Sequence, residues 1–287
     1  MIRKYLTTLL SFSVLFTIGQ NYEPTSTTGK VIHHHYYSLS YSEQHEQPEW
    51  VYYILTPLEV NGPFKRTDDF REDPKVETGS ASLNDYVGSG YDRGHLCAAA
   101  DMKRNNTAMS ETFYLSNMSP QAPYFNRGIW KSLESTVRGW AVSEDTIYVA
   151  TGGILTSING TIGVNKVSIP SHFYKVIYDP TGEKKMIAFI LPNRKCSQPL
   201  SNYVVSVDEV EKRTGIDFFH QLNNRLELQL ESNSDISKWK FKTYRSKATK
   251  ANTKNSSTQC KAITKSTGKR CRNRTKNSNG YCRLHQP

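Results

Sequence analysis

One stretch of this 287-residue chain concentrates side chains that can do acid–base and metal chemistry. A Tyr-Asp-Arg-Gly-His run ends at His95, Asn126 follows 31 residues later, and Glu134 and Arg138 come next. An imidazole has an ordinary pKa of about 6.5, so His95 can take a proton near neutral pH. With an amide oxygen, a carboxylate and guanidiniums, it supplies the groups needed to hydrolyse a phosphodiester beside a divalent cation.

Hydrophobic periodicity predicts the elements that position these residues. The apolar residues of 126–140 recur at helical spacing and should bury one helix face. Residues 92–95 should lie at the end of a strand or in the loop after it. Strand composition covers 50–56, 112–116, 146–150, 171–178 and 186–191, and 207–215 reads as a helix stopped by glycine. Strands interrupted by a few helices predict an α+β domain with a largely antiparallel sheet.

Two blocks of sequence resemble a known family. Residues 88–95 read Gly-Ser-Gly-Tyr-Asp-Arg-Gly-His, with Ala-Ala-Asp at 99–101, and 117–134 begin with Asn-Met-Ser-Pro-Gln-Ala-Pro-Tyr-Phe-Asn. Both blocks, at their spacing, are similar to the DNA/RNA non-specific endonucleases, over about Tyr36 to Leu230. The resemblance implies a ββα-metal fold flanked by helices, and cutting of both DNA and RNA to 5′-phosphate products.

The resemblance assigns the metal-binding role to Asn126, whose amide oxygen suits a hydrated Mg²⁺ or Mn²⁺. Read from its position alone, Asn126 would be a helix N-cap. Glu134 lies eight residues on, about 12 Å along an unbroken helix, and so should hydrogen-bond the waters of the metal rather than the ion. An ordinary i,i+4 salt bridge between Glu134 and Arg138 is the alternative.

Phosphate binding is assigned by the same resemblance. Arg66 and Arg138 match family positions that contact the scissile phosphate, and Arg71 is an alternative to Arg66. Planar guanidinium forks suit phosphate oxygens, while surface salt bridging is the competing explanation for either loop arginine.

Arg93 and Asn117 complete the catalytic set. Arg93 could bind phosphate or brace the motif against Asp92, and the family counterpart of Asn117 lies close to the general base. The expected reaction is attack by water that His95 activates, with the cation at Asn126 stabilising the leaving oxygen. No residue of the motif reads base edges, so sequence-non-specific DNA and RNA are the expected partners.

A rival interpretation is a non-catalytic nucleic-acid-binding protein in which the basic tail does the binding. Residues 236–287 hold 15 Lys and Arg and no Asp or Glu. The other 22 basic residues face 26 acidic ones, leaving residues 1–235 at a net charge of −4. The tail therefore suits a polyanion, with solubility as the alternative role.

The predicted domain organisation has five parts. Residues 1–20 run from basic to apolar to polar, which predicts a secretory signal peptide and a secreted or periplasmic protein without stable membrane association after cleavage. An uncleaved anchor is the alternative. A linker at 21–35, a nuclease domain at 36–232, a basic linker at 233–258 and a small module at 259–287 follow. The linker carries three consecutive histidines, which are read as solvated rather than as metal ligands.

The C-terminal module and the remaining cysteines raise separate questions. Cys260, Cys271, Cys282 and His285 have spacings that suit a structural zinc site, with disulfide pairing as the competitor. The module resembles small three-cysteine, one-histidine modules appended to other proteins. Cys97 and Cys196 could form a disulfide in an oxidising compartment or remain free thiols.

Overall fold

The computed structural model describes residues 21–244, 258–264, 268–275, 277 and 279–285. The signal peptide predicted at 1–20 and residues 245–257 of the predicted basic linker lie outside the described residues. The chain divides into two compact units, one ending at Arg245 and one beginning at Ser246. In the described part, no helix combines the length and apolar character that crossing a bilayer requires.

The first unit alternates strands with short helices. Its strands are β1 (Lys30–His33), β2 (Ser38–Ser42), β3 (Gln47–Leu55), β4 (Asp92–His95), β5 (Met118–Gln121), β6 (Ile147–Gly153), β7 (Ile158–Ile162), β8 (Val167–Pro170), β9 (His172–Asp179), β10 (Lys185–Pro192) and β11 (Val204–Val205). Its α-helices are α1 (Pro57–Asn61), α2 (Leu83–Tyr86), α3 (Asn106–Glu111), α4 (Lys131–Glu144), α5 (Val207–Thr214) and α6 (Asn224–Glu231). Single 3₁₀ turns lie at Ala99–Asp101, Leu115–Asn117, Leu200–Tyr203 and Ile236–Lys238.

The central sheet has the strand order β1-β2-β3-β6-β9-β10-β11, and every neighbouring pair is antiparallel. Side chains alternate between its two faces, and each face carries its own core. One face packs against α4 and the turn before it through Trp130, Leu133, Val137 and Trp140. The other packs against α5, α6 and the segment between them through Val207, Val210, Phe218 and Leu230. The predicted α+β class with a largely antiparallel sheet is confirmed.

A second, two-stranded ladder builds the ββα unit that carries the motif. β4 pairs antiparallel with β5, which places His95 opposite Met118 and Asp92 opposite Gln121. Gly94 lies so close to β5 that a Cβ there would stand 2.2 Å from Cδ of Gln121, so any other residue would have to displace the Gln121 side chain. Because the chain turns from β5 into the helix, Asn126 returns to the Asp92 end of the ladder.

The helix predicted at 126–140 forms, but its first turns are irregular. Residues Phe125–Trp130 are π-helical, and Gly128 has non-helical angles of φ −104° and ψ −107°. Asn126 is therefore not an N-cap, and its side chain bonds elsewhere. The strand predicted at 112–116 is wrong: this segment leads into the turn at Leu115–Asn117, where Asn117 Nδ2 donates 2.8 Å to the carbonyl of Thr112.

The prediction of a solvated linker over 21–35 is also wrong. Residues 30–33 form edge strand β1, and the His34 side chain is fully buried, with Nε2 2.9 Å from the Asp73 carboxylate and its ring stacked on Tyr114. His33 contacts Glu23 and His35 contacts Glu111 instead. The three histidines thus take three different carboxylate partners. The composition of the segment does not indicate this structure, because a polar segment can also form a strand by pairing with the edge of a sheet.

The basic linker starts later than predicted at 233. Trp239 is 4% exposed and its ring centroid lies 4.6 Å from that of Trp140. The indole N–H of Trp140 donates to the carbonyl of Lys240, and the backbone N–H of Tyr244 donates to that of Ser135. Residues 236–244 therefore cover α4 and belong to the first unit. Cys97 is buried, Cys196 is partly exposed, and both are free thiols.

Candidate active site

His95 lies at the end of β4 in an aromatic pocket. Its ring meets Phe113 edge-on at 5.0 Å and Phe70 at 5.7 Å between centroids. Only 8% of the residue is exposed, and Nε2 has no hydrogen-bond partner among the described residues. Burial, and then the nearby charges of Arg66 and Arg93, lower its pKa to about 3. The imidazole is therefore neutral and has one nitrogen lone pair to spare.

Asn126 is held by the aspartate that opens the same motif. Its amide nitrogen Nδ2 donates 2.9 Å to Oδ2 of Asp92, and Arg127 grips both oxygens of that carboxylate at 2.8 and 2.5 Å. Burial alone would raise the pKa of Asp92, but the hydrogen bonds from Arg127 and Asn126 lower that pKa below its usual value. A carboxylate can only accept, so Asp92 fixes which end of the amide it faces. The amide oxygen of Asn126 is left for another partner, as a metal ligand requires.

Arg138 does not form the i,i+4 salt bridge with Glu134 that was the alternative explanation for both residues. It donates through one guanidinium nitrogen to Asp101 at 2.7 Å, and the hydroxyl of Tyr53 donates 2.9 Å to the other Asp101 oxygen. Only 12% of the Arg138 side chain and 1% of the Asp101 side chain are exposed. Such a paired, hydrogen-bonded charge is stable inside a protein, whereas either partner alone would be costly.

Glu134 and Lys175 adjoin this pair. Burial raises the pKa of Glu134 to about 7, opposed by Arg138, Lys175 and Arg66 and assisted by Asp101. Lys175 is 1% exposed, and its ammonium has no hydrogen-bond partner among the described residues. It lies 4.9 Å from the Trp130 ring centroid, a cation–π distance. Burial lowers the pKa of Lys175, and its charge balances the acids around it.

Arg66 and Arg93 present guanidiniums at the entrance to the imidazole. Arg93 lies 4.2 Å from the Phe70 ring centroid, and Arg66 lies 4.7 Å from that of Phe113. Arg66 also pairs with Asp68 at 2.6 Å, where both side chains are at least half exposed. Asp92 pairs with Arg127, so it is not the direct partner proposed for Arg93. Both arginines are therefore braced by aromatic faces.

Two other predicted residues have clear places. Arg71, the alternative to Arg66, bonds Asp69 and Ser110 and lies over Tyr114 at 4.0 Å, so it fastens the loop instead. Asn117 is fully buried, accepts from the backbone N–H of Cys97 and donates to the Cys97 carbonyl, both at 2.9 Å. It thereby holds the chain just beyond His95 in position.

Comparisons with known proteins agree with this geometry. A sequence model of the DNA/RNA non-specific endonuclease family matches residues 16–225. Nuclease C1 of Cunninghamella echinulata var. echinulata is 38% identical over 205 residues, which cover 65% of this chain and 81% of that protein. Mitochondrial endonuclease G of Homo sapiens is 35% identical over 198 residues, covering 63% and 67%.

A solved structure shows the same fold. A chain in the crystal structure of the EndoG/EndoGI complex, which describes the mechanism of EndoG inhibition, superposes with a TM-score of 0.63. It is 35% identical and covers 68% of this chain and 87% of its own.

The chain belongs to the DNA/RNA non-specific endonuclease family. It is a metal-dependent endonuclease that hydrolyses phosphodiester bonds of nucleic acid, and the predicted ββα-metal nuclease fold is confirmed.

The candidate site also contains residues that the motifs did not single out. Phe70 and Phe113 wall the imidazole, and Lys175 and Asp101 set the charges around Glu134. Asp101 closes the recognised Ala-Ala-Asp block and could have been selected. Lys175 also left a signal, since it interrupts the apolar run of β9. Phe113 carried no such signal, because the aromatic composition of its segment is equally typical of a strand.

The second unit brings its four predicted ligands together. The sulfur and ring-nitrogen atoms of Cys260, Cys271, Cys282 and His285 all lie within 4.8 Å of one another. Cys271 Sγ is 4.0 Å from Cys282 Sγ, and His285 Nδ1 is 3.2 and 3.8 Å from the sulfurs of Cys282 and Cys260. Zn–S bonds of about 2.3 Å in a tetrahedron separate sulfurs by roughly 3.8 Å. The cluster therefore fits zinc.

Proposed function

We propose that this endonuclease is an exported, Mg²⁺-dependent enzyme that cuts both DNA and RNA and leaves 5′-phosphates. The observation that carries the proposal is the pairing of a neutral imidazole, whose Nε2 is unpartnered, with an amide whose orientation a carboxylate fixes. A general base must be unprotonated with a free lone pair, as the imidazole is. A metal ligand must present an oxygen to the ion, as the oriented amide can.

His95 is the proposed general base. Its low pKa keeps the ring neutral, and Nε2 is free to accept a proton from an attacking water. Phe70 and Phe113 limit the motion of the ring, so the lone pair is aimed before substrate arrives. The imidazolium formed would be destabilised by burial and by Arg66 and Arg93, which favours passing the proton on to solvent.

Asn126 is the proposed protein ligand of Mg²⁺, oriented by Asp92. A bound divalent cation would supply charge neutralisation at the phosphate and at the departing oxygen. Glu134 would accept hydrogen bonds from water in that region, since its carboxyl has no ion-pair partner among the described residues. Asn117 positions His95 by holding Cys97, rather than by touching substrate.

Arg66, Arg93 and Arg138 are the proposed phosphate-binding residues. Arg66 and Arg93 stand at the surface with aromatic support. One guanidinium nitrogen of Arg138 donates to Asp101, and we assign the other guanidinium N–H groups to the phosphate. Contacts of this kind recognise the backbone and not the bases, which supports action on both DNA and RNA.

Plasmid nicking with Mg²⁺, with EDTA and with variants tests the catalytic assignment. We expect His95→Ala and Asn126→Ala to lose activity, and His220→Ala, which removes an exposed histidine, to retain it. A labelled RNA hairpin tests the second substrate, and end-labelling tests for 5′-phosphates. Cutting in EDTA, or full activity of His95→Ala, would overturn the assignment.

We further propose that the second unit binds one structural Zn²⁺. So small a unit has little core beyond its cysteines, and a metal would supply its folding free energy. Elemental analysis should give about one zinc per chain, lost in Cys282→Ala and kept in Cys196→Ala, whose cysteine lies in the first unit. A Cys282→Ala protein with unchanged zinc would contradict this.

Export is proposed from the order of residues 1–20 alone. Mass spectrometry of protein collected outside the cells should find a mature chain that lacks this segment. Protein retained inside with residues 1–20 intact would reject export.

A further inference from the structure

Three acidic side chains meet between α5 and α6, far in the fold from the catalytic motif. Asp208 and Glu211 lie three residues apart on α5 and so share a helix face. Glu231 is the last residue of α6. One carboxylate oxygen from each lies within 4.8 Å of the others. These helices cover the sheet face opposite to α4, so the cluster is separate from the active site.

Glu231 is the residue that makes this cluster unusual. It is only 4% exposed, and its Oε1 is buried without a hydrogen-bond partner among the described residues. It also stands at the C-terminal end of α6, where the helix dipole disfavours negative charge. A buried carboxylate in such a place needs either a cation or a proton.

The side chains around Glu231 add further negative charge and little positive charge to balance it. Burial, and then the negative charges of Glu211, Glu227, Asp217 and Asp208, raise the pKa of Glu231 to about 9. Burial likewise raises the pKa of Glu211 to about 7, although one of its oxygens accepts from the backbone N–H of Phe218 at 2.9 Å. The nearby Arg213 is engaged by Glu209 at 2.7 Å.

We propose that Asp208, Glu211 and Glu231 form a binding site for a calcium ion. All the ligand atoms are oxygens, which excludes a preference for soft metals. Three carboxylates converging from two helices suit Ca²⁺, which takes six to eight oxygens at about 2.3–2.6 Å. Mg²⁺ usually keeps more water and takes one or two carboxylates. The bound ion would tie the start of α5 to the end of α6 and neutralise Glu231.

The test uses the full chain carrying Asn126→Ala, which removes the proposed catalytic metal ligand. After EGTA dialysis, calcium is added in calorimetry and in thermal unfolding. We expect about one Ca²⁺ per chain and a rise in Tm of about 5 °C near 100 times the Kd. Adding Glu231→Gln should abolish both effects, and Glu227→Gln, an equal charge change on the same helix, should preserve them.

Calcium-free Glu231→Gln should also unfold at a higher temperature than its parent, since it removes an unpaired buried acid. This shows that the variant folds. The proposal is overturned if the parent neither binds Ca²⁺ nor gains stability from it, or if Glu231→Gln responds to Ca²⁺ as strongly as the parent.

Discussion

The orientation of the Asn126 amide should depend on the carboxylate of Asp92. Asp92→Asn keeps the size of the side chain but replaces an obligate acceptor by a group that can also donate. The new amide can pair with Asn126 in either orientation, so nothing would hold the Asn126 oxygen toward the cation. The charge-assisted bond from Asn126 to Asp92 at 2.9 Å would become a neutral one, while the bonds from Arg127 would lose their anionic acceptor.

The size of the effect follows from hydrogen-bond energies. A bond to a charged group contributes about 1.5–3 kcal/mol and a neutral one about 0.5–1.5 kcal/mol. The difference of roughly 1–1.5 kcal/mol corresponds to about a 5- to 13-fold weaker hold on the productive amide. Loss of groups that orient a metal ligand typically costs about 10- to 100-fold in affinity or activity. We therefore expect the half-saturating Mg²⁺ concentration to rise at least about tenfold.

The assay is the initial rate of plasmid nicking as a function of Mg²⁺ concentration. For Asp92→Asn, the curve should move to higher Mg²⁺ while most of the maximal rate is recovered at saturation. Arg127→Gln is the matched control, because it removes the fork but leaves the bond between Asp92 and Asn126, and its curve should move less. An unchanged curve for Asp92→Asn, or equal shifts for the two variants, would refute the orienting role.

Three other predictions concern pH, burial and the tail. Because the pKa of His95 is lowered to about 3, the imidazole should stay neutral above about pH 4. Any acid limb of the single-turnover rate near pH 7 should then come from Glu134 and disappear in Glu134→Gln. Between about pH 3 and 6.5 the unfolded chain binds more protons at His95 than the folded chain does. The free energy of unfolding that His95 contributes is therefore fully present above pH 6.5 and is lost as pH falls. Glu134 has the opposite effect, because its raised pKa destabilises the fold as pH rises from about 4.5 to 7. Urea unfolding at several pH values, with Glu134→Gln as control, measures the second effect. Lys175→Met should lower Tm, since the charge that balances Asp101 and Glu134 is lost, and should move the Glu134 limb to higher pH; a higher Tm with an unmoved limb would argue against this. The tail is tested by removing residues 246–287, because residues 236–244 belong to the first unit. This truncation should leave cutting of short substrates intact, weaken binding to long DNA and flatten the salt dependence of that binding. Unchanged salt slopes would reject a binding role for the tail.

Much of the fold was predictable because local pattern and tertiary environment agree. The runs at 50–56, 146–150, 171–178 and 186–191 are strands, and Gly215 ends α5 in the left-handed conformation at φ 74°. Two of the failures share a cause. Segments 30–33 and 236–244 have polar or basic composition, but an open sheet edge and an uncovered face of α4 recruited them. Strand β1 pairs with the next strand, β2, whereas residues 236–244 pack on α4, which lies far earlier in the chain; neither pairing leaves a periodic signal.

The site was predictable as a set of residues but not as a set of contacts. The motifs and the family resemblance selected His95, Asn126 and Glu134, but they left open whether Arg93 braces against Asp92 and whether Arg138 pairs with Glu134. The ladder register instead places Asp92 beside the turn that carries Asn126 and Arg127. Arg138 turns toward Asp101, which lies beyond the strand that ends at His95. Both outcomes follow from the ββα geometry, which residue spacing alone does not encode.

The arrangement of charges explains why the arginines are not equivalent. Asp101 and Arg138 neutralise each other in the interior, and Lys175 offsets Glu134 when that carboxyl is ionised. The interior is therefore close to electrically balanced before substrate binds. The positive charge available to a phosphate lies mainly on Arg66 and Arg93, which are held by aromatic faces beside the neutral His95. The same two charges disfavour a protonated His95, so the groups that attract the phosphate also keep the imidazole neutral until a bound phosphate offsets their charge.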